Sequence, residues 1–342
     1  MSSRRLITTL LLIFIGIAPL AAISEAALLF LTIEPGARAN AMGRAYSAVA
    51  DDAYAMWWNP GAPAFNRKGQ VALTHVNWLQ GAGIDDMFYE YLGWNQYFED
   101  IGNINAHIVL MDLGTQDHTD SNNQLIGTFH SFDISGAVGY SYDVIPETLG
   151  LGANFKLVYS KLSPKGTGLT ENEGKAFSFA FDIGSKYKDV AGLKGLDLAL
   201  AIQNIGPDVT YVDEAQADPH SMTFRFGAAY KPIDKPYNKL TLSAEMSKML
   251  ANDDPLYKRF ITGWQDFDET IYGFGAEYEY LDLISLRGGY FMDKAGKIEG
   301  PSFGVGLHYA FSDRYKLNAD FAMVPGGEIV DFNKIFSLGL EY

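Results

Sequence analysis

The chain has 342 residues, with 26 lysines and arginines against 41 aspartates and glutamates, and it has no cysteine. A net charge of −15 argues against a nucleic-acid partner, because phosphate binding requires a basic face. The missing cysteines exclude a disulfide framework and a thiolate metal site.

Residues 1–26 have the pattern of an export signal. Arg4 and Arg5 precede an apolar run, and small residues of the kind that a signal peptidase recognises follow up to Ala26. The run is just long enough for an anchor helix, but Pro19 and the small residues favour a processed segment. We therefore predict a signal peptide over residues 1–26, cleaved after Ala26.

Residues 27–69 differ from the rest of the chain because they lack alternation. Residues 36–53 are rich in alanine and other good helix formers. The pair Asn59-Pro60, followed by glycine, then forces a turn. The segment is predicted to form a short helix and a rigid turn ahead of the first strand.

From about residue 70 onward, large apolar residues alternate with small or polar ones, as they do between Ser302 and Phe311. Successive side chains of a strand point to opposite faces, so each such run predicts a strand with one apolar face. The fourteen predicted strands are 70–79, 86–96, 103–113, 128–142, 148–162, 175–187, 195–204, 219–231, 237–250, 269–280, 283–292, 301–311, 314–324 and 333–342.

The gaps between these strands alternate in length, with the longer ones after odd-numbered strands. Outer-membrane barrels have long extracellular loops and short periplasmic turns. A soluble β-sandwich is the alternative, but it needs large residues inside. The opposite face here is rich in Gly, Ser and Ala and carries charges that suit a polar lumen: Arg225, Arg287, Glu245, Glu277, Asp182 and Asp320.

We therefore predict an all-β fold, a 14-stranded antiparallel transmembrane β-barrel over residues 70–342, in the lipids of a bacterial outer membrane. A barrel of this width leaves a channel unless something fills it, and residues 27–69 are placed to act as a plug. The last strand ends on an aromatic residue and resembles the signal that the barrel-assembly machinery reads, which makes this machinery an expected partner. Its pattern is carried by Phe336, Leu338, Leu340 and Tyr342.

The stretch from Gly36 to Phe65 resembles the N-terminal signature of the PorV/PorQ family, which is related to the long-chain fatty-acid transporter FadL. It contains G-A-R-A-x-A-M-G, the acidic pair at 51–52 and then Asn59-Pro60. The family's usual Asn-Pro-Ala-Gly is inverted here to Asn-Pro-Gly-Ala. The resemblance implies a FadL-like barrel with a plugged lumen and a role in type IX secretion, where PorV-type members bind secreted cargo proteins. The alternative that it leaves open is a transporter or channel for hydrophobic small molecules.

Charged and aromatic residues of the plug are the candidates for holding it in place. Asp51 and Asp52 are expected to bind a cation or to pair with Arg225 or Arg287, since unpaired buried carboxylates are costly. Arg38 and Arg44 are expected to pair with lumenal carboxylates, and Trp57 and Trp58 to pack against the wall or to contact an apolar ligand. The carboxylates concerned are Glu245, Glu277 and Asp320.

Signals for catalysis are sparse. The six histidines show no metal-ligand spacing such as H-E-x-x-H, and no G-x-S-x-G nucleophile elbow is present. A barrel lipase with a serine and histidine at the lumen edge stays open, because such sites are recognised by geometry. We expect no enzyme activity, no cofactor and no metal.

Overall fold

The computed structural model describes residues 26–78, 86–120, 122, 124–164, 173–212, 217–265, 267–327 and 330–342. The predicted signal peptide lies outside these residues, apart from Ala26. In these ranges, no helix has the length and apolarity that a membrane crossing requires.

Fourteen strands form one closed antiparallel barrel, in which each strand pairs with its neighbours in sequence and the last strand pairs with the first. The predicted fold class is therefore confirmed. The strands are β1 Gln70–Asn77, β2 Phe88–Phe98, β3 Gly102–Thr119, β4 Leu125–Ile145, β5 Leu149–Ser163, β6 Gly174–Tyr187, β7 Leu196–Ile205, β8 Thr223–Lys235, β9 Asn238–Met249, β10 Ile271–Tyr280, β11 Ile284–Asp293, β12 Ile298–Ala310, β13 Lys316–Gly326 and β14 Val330–Glu341.

The wall has an apolar outer face and a polar inner face. On β6, Ala176 and Ser178 are buried inside, whereas Phe177 and Phe179 are exposed on the outside. An outward apolar band of this kind is the surface that an outer-membrane barrel presents to lipid. The protein is an outer-membrane protein, and its outer face is the lipid-facing wall.

The two ends of the barrel differ in the length of their connections. The longest connections are 206–222 and 250–270, both after odd-numbered strands, so this end is extracellular. Predicted boundaries of β3, β4 and β8 were wrong. The β3–β4 connection is only 120–124 because both strands extend further than expected, and β8 begins at Thr223 rather than 219 because the preceding residues belong to the loop.

Residues 27–69 lie inside the barrel, and we call them the N-terminal segment. It contains two short α-helices, α1 Ala37–Ala41 and α2 Ala55–Trp58, and two 3₁₀ turns at Leu29–Thr32 and Ala62–Phe65. The helix expected over residues 36–53 is therefore much shorter. It ends because Gly43 and Arg44 take positive φ angles of 63° and 61°, a left-handed conformation typical of helix C-termini.

The backbone of the N-terminal segment approaches the wall closely at glycines, which have no side chain. A Cβ atom on Gly152 of β5 would lie 1.9 Å from the carbonyl oxygen of Pro60. A Cβ atom on Gly289 of β11 would lie 2.1 Å from the amide nitrogen of Gly43. Both distances are shorter than any non-bonded contact allows, so glycine is required at these two positions for the backbones to approach.

Candidate functional site

Four charged side chains form what we call the outer cluster, on the extracellular side of the lumen: Glu34, Arg44, Arg225 and Glu245. Arg225 of β8 is 3% exposed, and it donates hydrogen bonds to Glu245 over 2.9 Å and to Glu34 over 3.2 Å. Glu245 of β9 also accepts the backbone amides of Tyr46 at 2.9 Å and Ser47 at 2.7 Å. The outer cluster therefore links two strands of the wall to two parts of the N-terminal segment.

The same arginine contacts both tryptophans of α2. Its guanidinium carbon lies 5.1 Å from the ring centroid of Trp57 and 4.9 Å from that of Trp58, within the range of cation–π attraction. Its Nε donates to Gln203 of β7, whose amide in turn donates to the carbonyl of Trp57. Both tryptophans are buried, so the segment and the wall share one desolvated core around Arg225.

Six side chains form the inner cluster, towards the periplasmic end: Arg38, Asp51, Asp52, Glu277, Arg287 and Asp320. Arg38 of α1 binds Glu277 of β10 through two hydrogen bonds of 2.8 and 2.7 Å, a bidentate geometry. Arg287 of β11 donates to the same carboxylate over 2.6 Å and to Asp320 over 2.5 Å. Glu277 is thus held by one arginine from the segment and one from the wall.

The acidic pair finds its partner inside the segment, which corrects the expected pairing with Arg225 or Arg287. Asp51 lies 2.5 Å from Arg38, and Asp52 lies 3.8 Å from the same guanidinium. Asp52 also accepts the hydroxyl of Tyr46 and the backbone amide of Tyr54. The reason is sequence proximity, because Arg38 and the acidic pair belong to the same short segment, whose turns bring them together.

Arg44 requires a second correction, because it pairs with Glu34 of the same segment over 3.3 Å rather than with a carboxylate of the wall. Its guanidinium carbon lies 3.8 Å from the ring centroid of Phe291 on β11. Glu34 was not among the candidate residues. Its signal was available, since it is the one charge in the apolar stretch 27–35, and a lone charge there indicates a buried partner.

Burial raises the pKa of Asp52 to about 6; it outweighs the attraction of Arg38, and the nearby carboxylate of Asp51 adds a smaller increase. Between about pH 4 and pH 6 the folded protein therefore holds a proton that the unfolded chain releases, so this group makes stability fall as pH rises. We expect the Asp52→Asn variant to lose this slope. The check is the urea midpoint of both proteins from pH 4 to pH 7, and parallel curves would contradict the expectation.

Asn59 and Pro60 make the contact at β5 and β6. The Asn59 side chain donates to the carbonyl of Ser185 over 2.9 Å and accepts the amide of Gly61 over 3.0 Å. A Cβ atom at position 61 would lie 2.7 Å from the carbonyl oxygen of Gly184. The inverted order Asn-Pro-Gly-Ala is therefore explained by the closeness of the wall to position 61.

The last strand carries the expected outward residues, with Phe336 and Leu338 exposed on the lipid-facing wall and Leu340 half-buried. Tyr342 accepts a 2.9 Å hydrogen bond from the Trp94 indole, and its backbone pairs with Gly69. Their role as an assembly signal remains a prediction.

Two cavities lie at opposite ends of the lumen, with the buried N-terminal segment between them. The extracellular cavity has a volume of about 260 Å³; Glu34, Arg44 and Arg225 lie at its polar side, and its apolar side chains include Ile33, Val76, Trp78, Met249, Ile271, Ile298, Val324 and Ile335. The periplasmic cavity, about 240 Å³, is lined mostly by charged residues, among them Arg38, Asp51, Lys231 and Glu279. Over the described ranges, no three metal-ligating side chains converge.

Comparison with known proteins agrees with this architecture. The toluene transporter TbuX of Ralstonia pickettii superposes with a TM-score of 0.55 at 14% identity, over 90% of this chain and 97% of its own. The toluene transporter TodX of Pseudomonas putida gives 0.53 at 12% identity, again over 90% and 97%. At such identities, the likeness shows the fold alone. No curated protein matches the sequence.

A family model described as "Type IX secretion system protein PorV" matches residues 21–256, which is more than half of the chain. The chain therefore belongs to the PorV family.

Proposed function

We propose that this protein binds secreted proteins at the cell surface as part of type IX secretion, and that its N-terminal segment is a permanent plug. The observation that carries the proposal is the double attachment of this segment. The outer cluster holds it through Arg225 and Glu245, and the inner cluster holds it through Glu277. A segment tied to the wall at both ends keeps the lumen filled and leaves the extracellular face for binding.

The extracellular cavity and the loops around it are the proposed contact surface for cargo. At about 260 Å³ the cavity is slightly below the roughly 300–1,000 Å³ of a typical small-molecule site. An apolar rim over a charged floor fits a protruding side chain or a short chain segment of a larger partner. Catalysis is not needed for this role, and we propose none.

Transport of a hydrophobic small molecule is the second candidate. It is favoured by the same apolar rim, for example Ile271, Ile298 and Ile335, and by the fold shared with two toluene transporters. Against it, the charged inner cluster stands between this cavity and the periplasm. An apolar solute on that path would displace Arg38 from Glu277.

The test is a pull-down of the protein from its own outer membrane, with an affinity tag in the periplasmic turn 311–315. Proteins and lipids in the eluate are both identified. We expect secreted proteins that share a C-terminal domain. Bound apolar small molecules without any protein partner would support transport and reject the cargo proposal.

A matched pair of variants locates the contact. Ile298→Asp places a charge in the cavity rim, whereas Ala295→Asp makes the same charge change at an exposed position of the neighbouring loop 294–297. We expect recovery of cargo to fall several-fold for Ile298→Asp alone, since burying an unpaired carboxylate is unfavourable. Equal recovery from both variants would place the contact elsewhere on the surface.

A further inference from the structure

The extracellular loop 250–270, between β9 and β10, carries an apolar surface that the barrel itself does not cover. Its helix α3 spans Leu256–Thr262, and a 3₁₀ turn follows at Phe267–Glu269. Four large apolar side chains of this loop are exposed, with Ile261 at 79% and Tyr257 at 72%; the others are Phe260 and Phe267. Among the described extracellular loops, no other exposes large apolar side chains.

This loop folds outward over the lipid-facing wall rather than over the lumen. Phe224 of β8 follows the inward Thr223 and precedes the inward Arg225, so it points outward. The Trp264 ring lies 4.8 Å from the Phe224 ring, edge to face. The loop therefore covers the extracellular end of the wall at β8.

A second contact, on β9, also shows that the loop folds outward over the lipid-facing wall. Lys248 follows the inward Ser247 and is on the outer face, yet it is only 2% exposed. Glu269 of the loop covers it through an ion pair of 2.8 Å. A lysine at the edge of the lipid-facing wall is thus neutralised by the same loop that places Trp264 on Phe224.

The loop holds this position through a buried arginine. Arg259 of α3 is 1% exposed and donates to the backbone carbonyl of Asp254 and to the carboxylate of Asp208 in the loop 206–222. Tyr257 and Ile261 are each two positions from Arg259 on the helix, so they lie on its opposite face and point away from the protein. The exposed surface formed by Tyr257, Phe260, Ile261 and Phe267 is therefore a fixed feature of the loop; we call it the apolar loop face.

We propose that the apolar loop face is inserted in the outer leaflet of the outer membrane as an interfacial anchor, with lipid acyl chains and the headgroup boundary as its occupant. The proposal rests on continuity, because the face adjoins the lipid-facing wall at Phe224 and carries aromatic rings, which favour the membrane interface. Apolar faces of interfacial segments lie roughly 5–10 Å into the headgroup and acyl boundary. Anchoring of this loop also fixes the loop 206–222, to which Arg259 ties it.

The chain has no cysteine, so single cysteines report on single positions. Spin labels are placed on Ile261→Cys and Tyr257→Cys in the loop face, on Phe226→Cys in the lipid-facing wall and on Asp253→Cys as the exposed control in the same loop. Each folded variant is reconstituted in phosphatidylethanolamine and phosphatidylglycerol vesicles. Accessibility to dissolved oxygen is then compared with accessibility to a water-soluble nickel chelate.

We expect the labels at positions 261 and 257 to resemble the one at 226, with oxygen favoured over nickel and a depth of roughly 5–10 Å into the headgroup and acyl boundary. The label at 253 should favour nickel. If the labels at 261 and 257 favour nickel as strongly as the one at 253, the proposal is overturned, and the face is left for a protein partner. This outcome is independent of the cargo pull-down, because the vesicles contain no other protein.

Discussion

Replacement of Arg225 by methionine is expected to loosen the extracellular attachment of the N-terminal segment to the barrel wall. The change leaves Glu245, which is only 6% exposed, without its arginine. It also removes the cation–π contacts to Trp57 and Trp58. Breaking one partner of a buried ion pair costs about 3–5 kcal/mol, because the remaining charge stays desolvated. We expect a lower urea midpoint, faster trypsin cleavage within residues 38–68 and a higher ion conductance in planar bilayers.

The control is Lys239→Met. It removes a cation that is 40% exposed and that pairs with Glu279 and Asp282. Partly exposed pairs contribute about 1 kcal/mol or less, so stability, cleavage and conductance should stay near those of the unaltered protein. If Arg225→Met behaves like Lys239→Met in all three measurements, the outer cluster does not hold the segment.

Adding one methyl group at Gly152 or Gly289 is also expected to displace the N-terminal segment. The new Cβ atoms would lie 1.9 Å from the carbonyl oxygen of Pro60 and 2.1 Å from the amide nitrogen of Gly43. Neither neighbour is the end of a flexible side chain, so the segment has to move away from the wall. Overpacking of this kind costs about 1–3 kcal/mol or more, and the displaced segment should be cleaved faster by trypsin.

The chain offers matched controls for these two substitutions. Gly136 of β4 and Gly288 of β11 are also strand glycines, but a Cβ atom at either position would meet no atom within 4 Å. Alanine at these positions changes the strand propensity in the same way without a clash. Equal protease sensitivity of Gly152→Ala and Gly136→Ala would show that the close backbone contact does not hold the segment in place.

The strands were predictable because lipid imposes one requirement on every one of them. Outward positions in contact with the lipid interior have to be apolar, so alternation appears locally, as in Phe177 and Phe179 against Ala176 and Ser178. The strand ends were less predictable. Some strands continue past the membrane, and others begin later than the alternation indicates because a loop precedes them. The early start of β4 at Leu125 and the late start of β8 at Thr223 are the two examples.

Partner choice inside the lumen was predicted only in part. Arg38 does pair with Glu277, one of the expected carboxylates, but Asp51, Asp52 and Arg44 find partners within their own segment. The positions of opposite charges in the sequence do not show which of these pairs will form. The ranking depends on which backbone turns bring the groups together, such as the left-handed turn at Gly43.

Composition, alternation and the terminal aromatic strand by themselves determined that this protein is a fourteen-stranded barrel, and the stretch 36–65 determined its family. These properties are local: they depend on solvent or lipid at each position and on short motifs. The tertiary structure alone decided how the lumen is filled, because Glu34 and Arg225 are distant in sequence and meet only when the barrel has closed around the segment. It also decided that Gly152 is irreplaceable, since the carbonyl oxygen of Pro60 lies against it and no local pattern shows that contact.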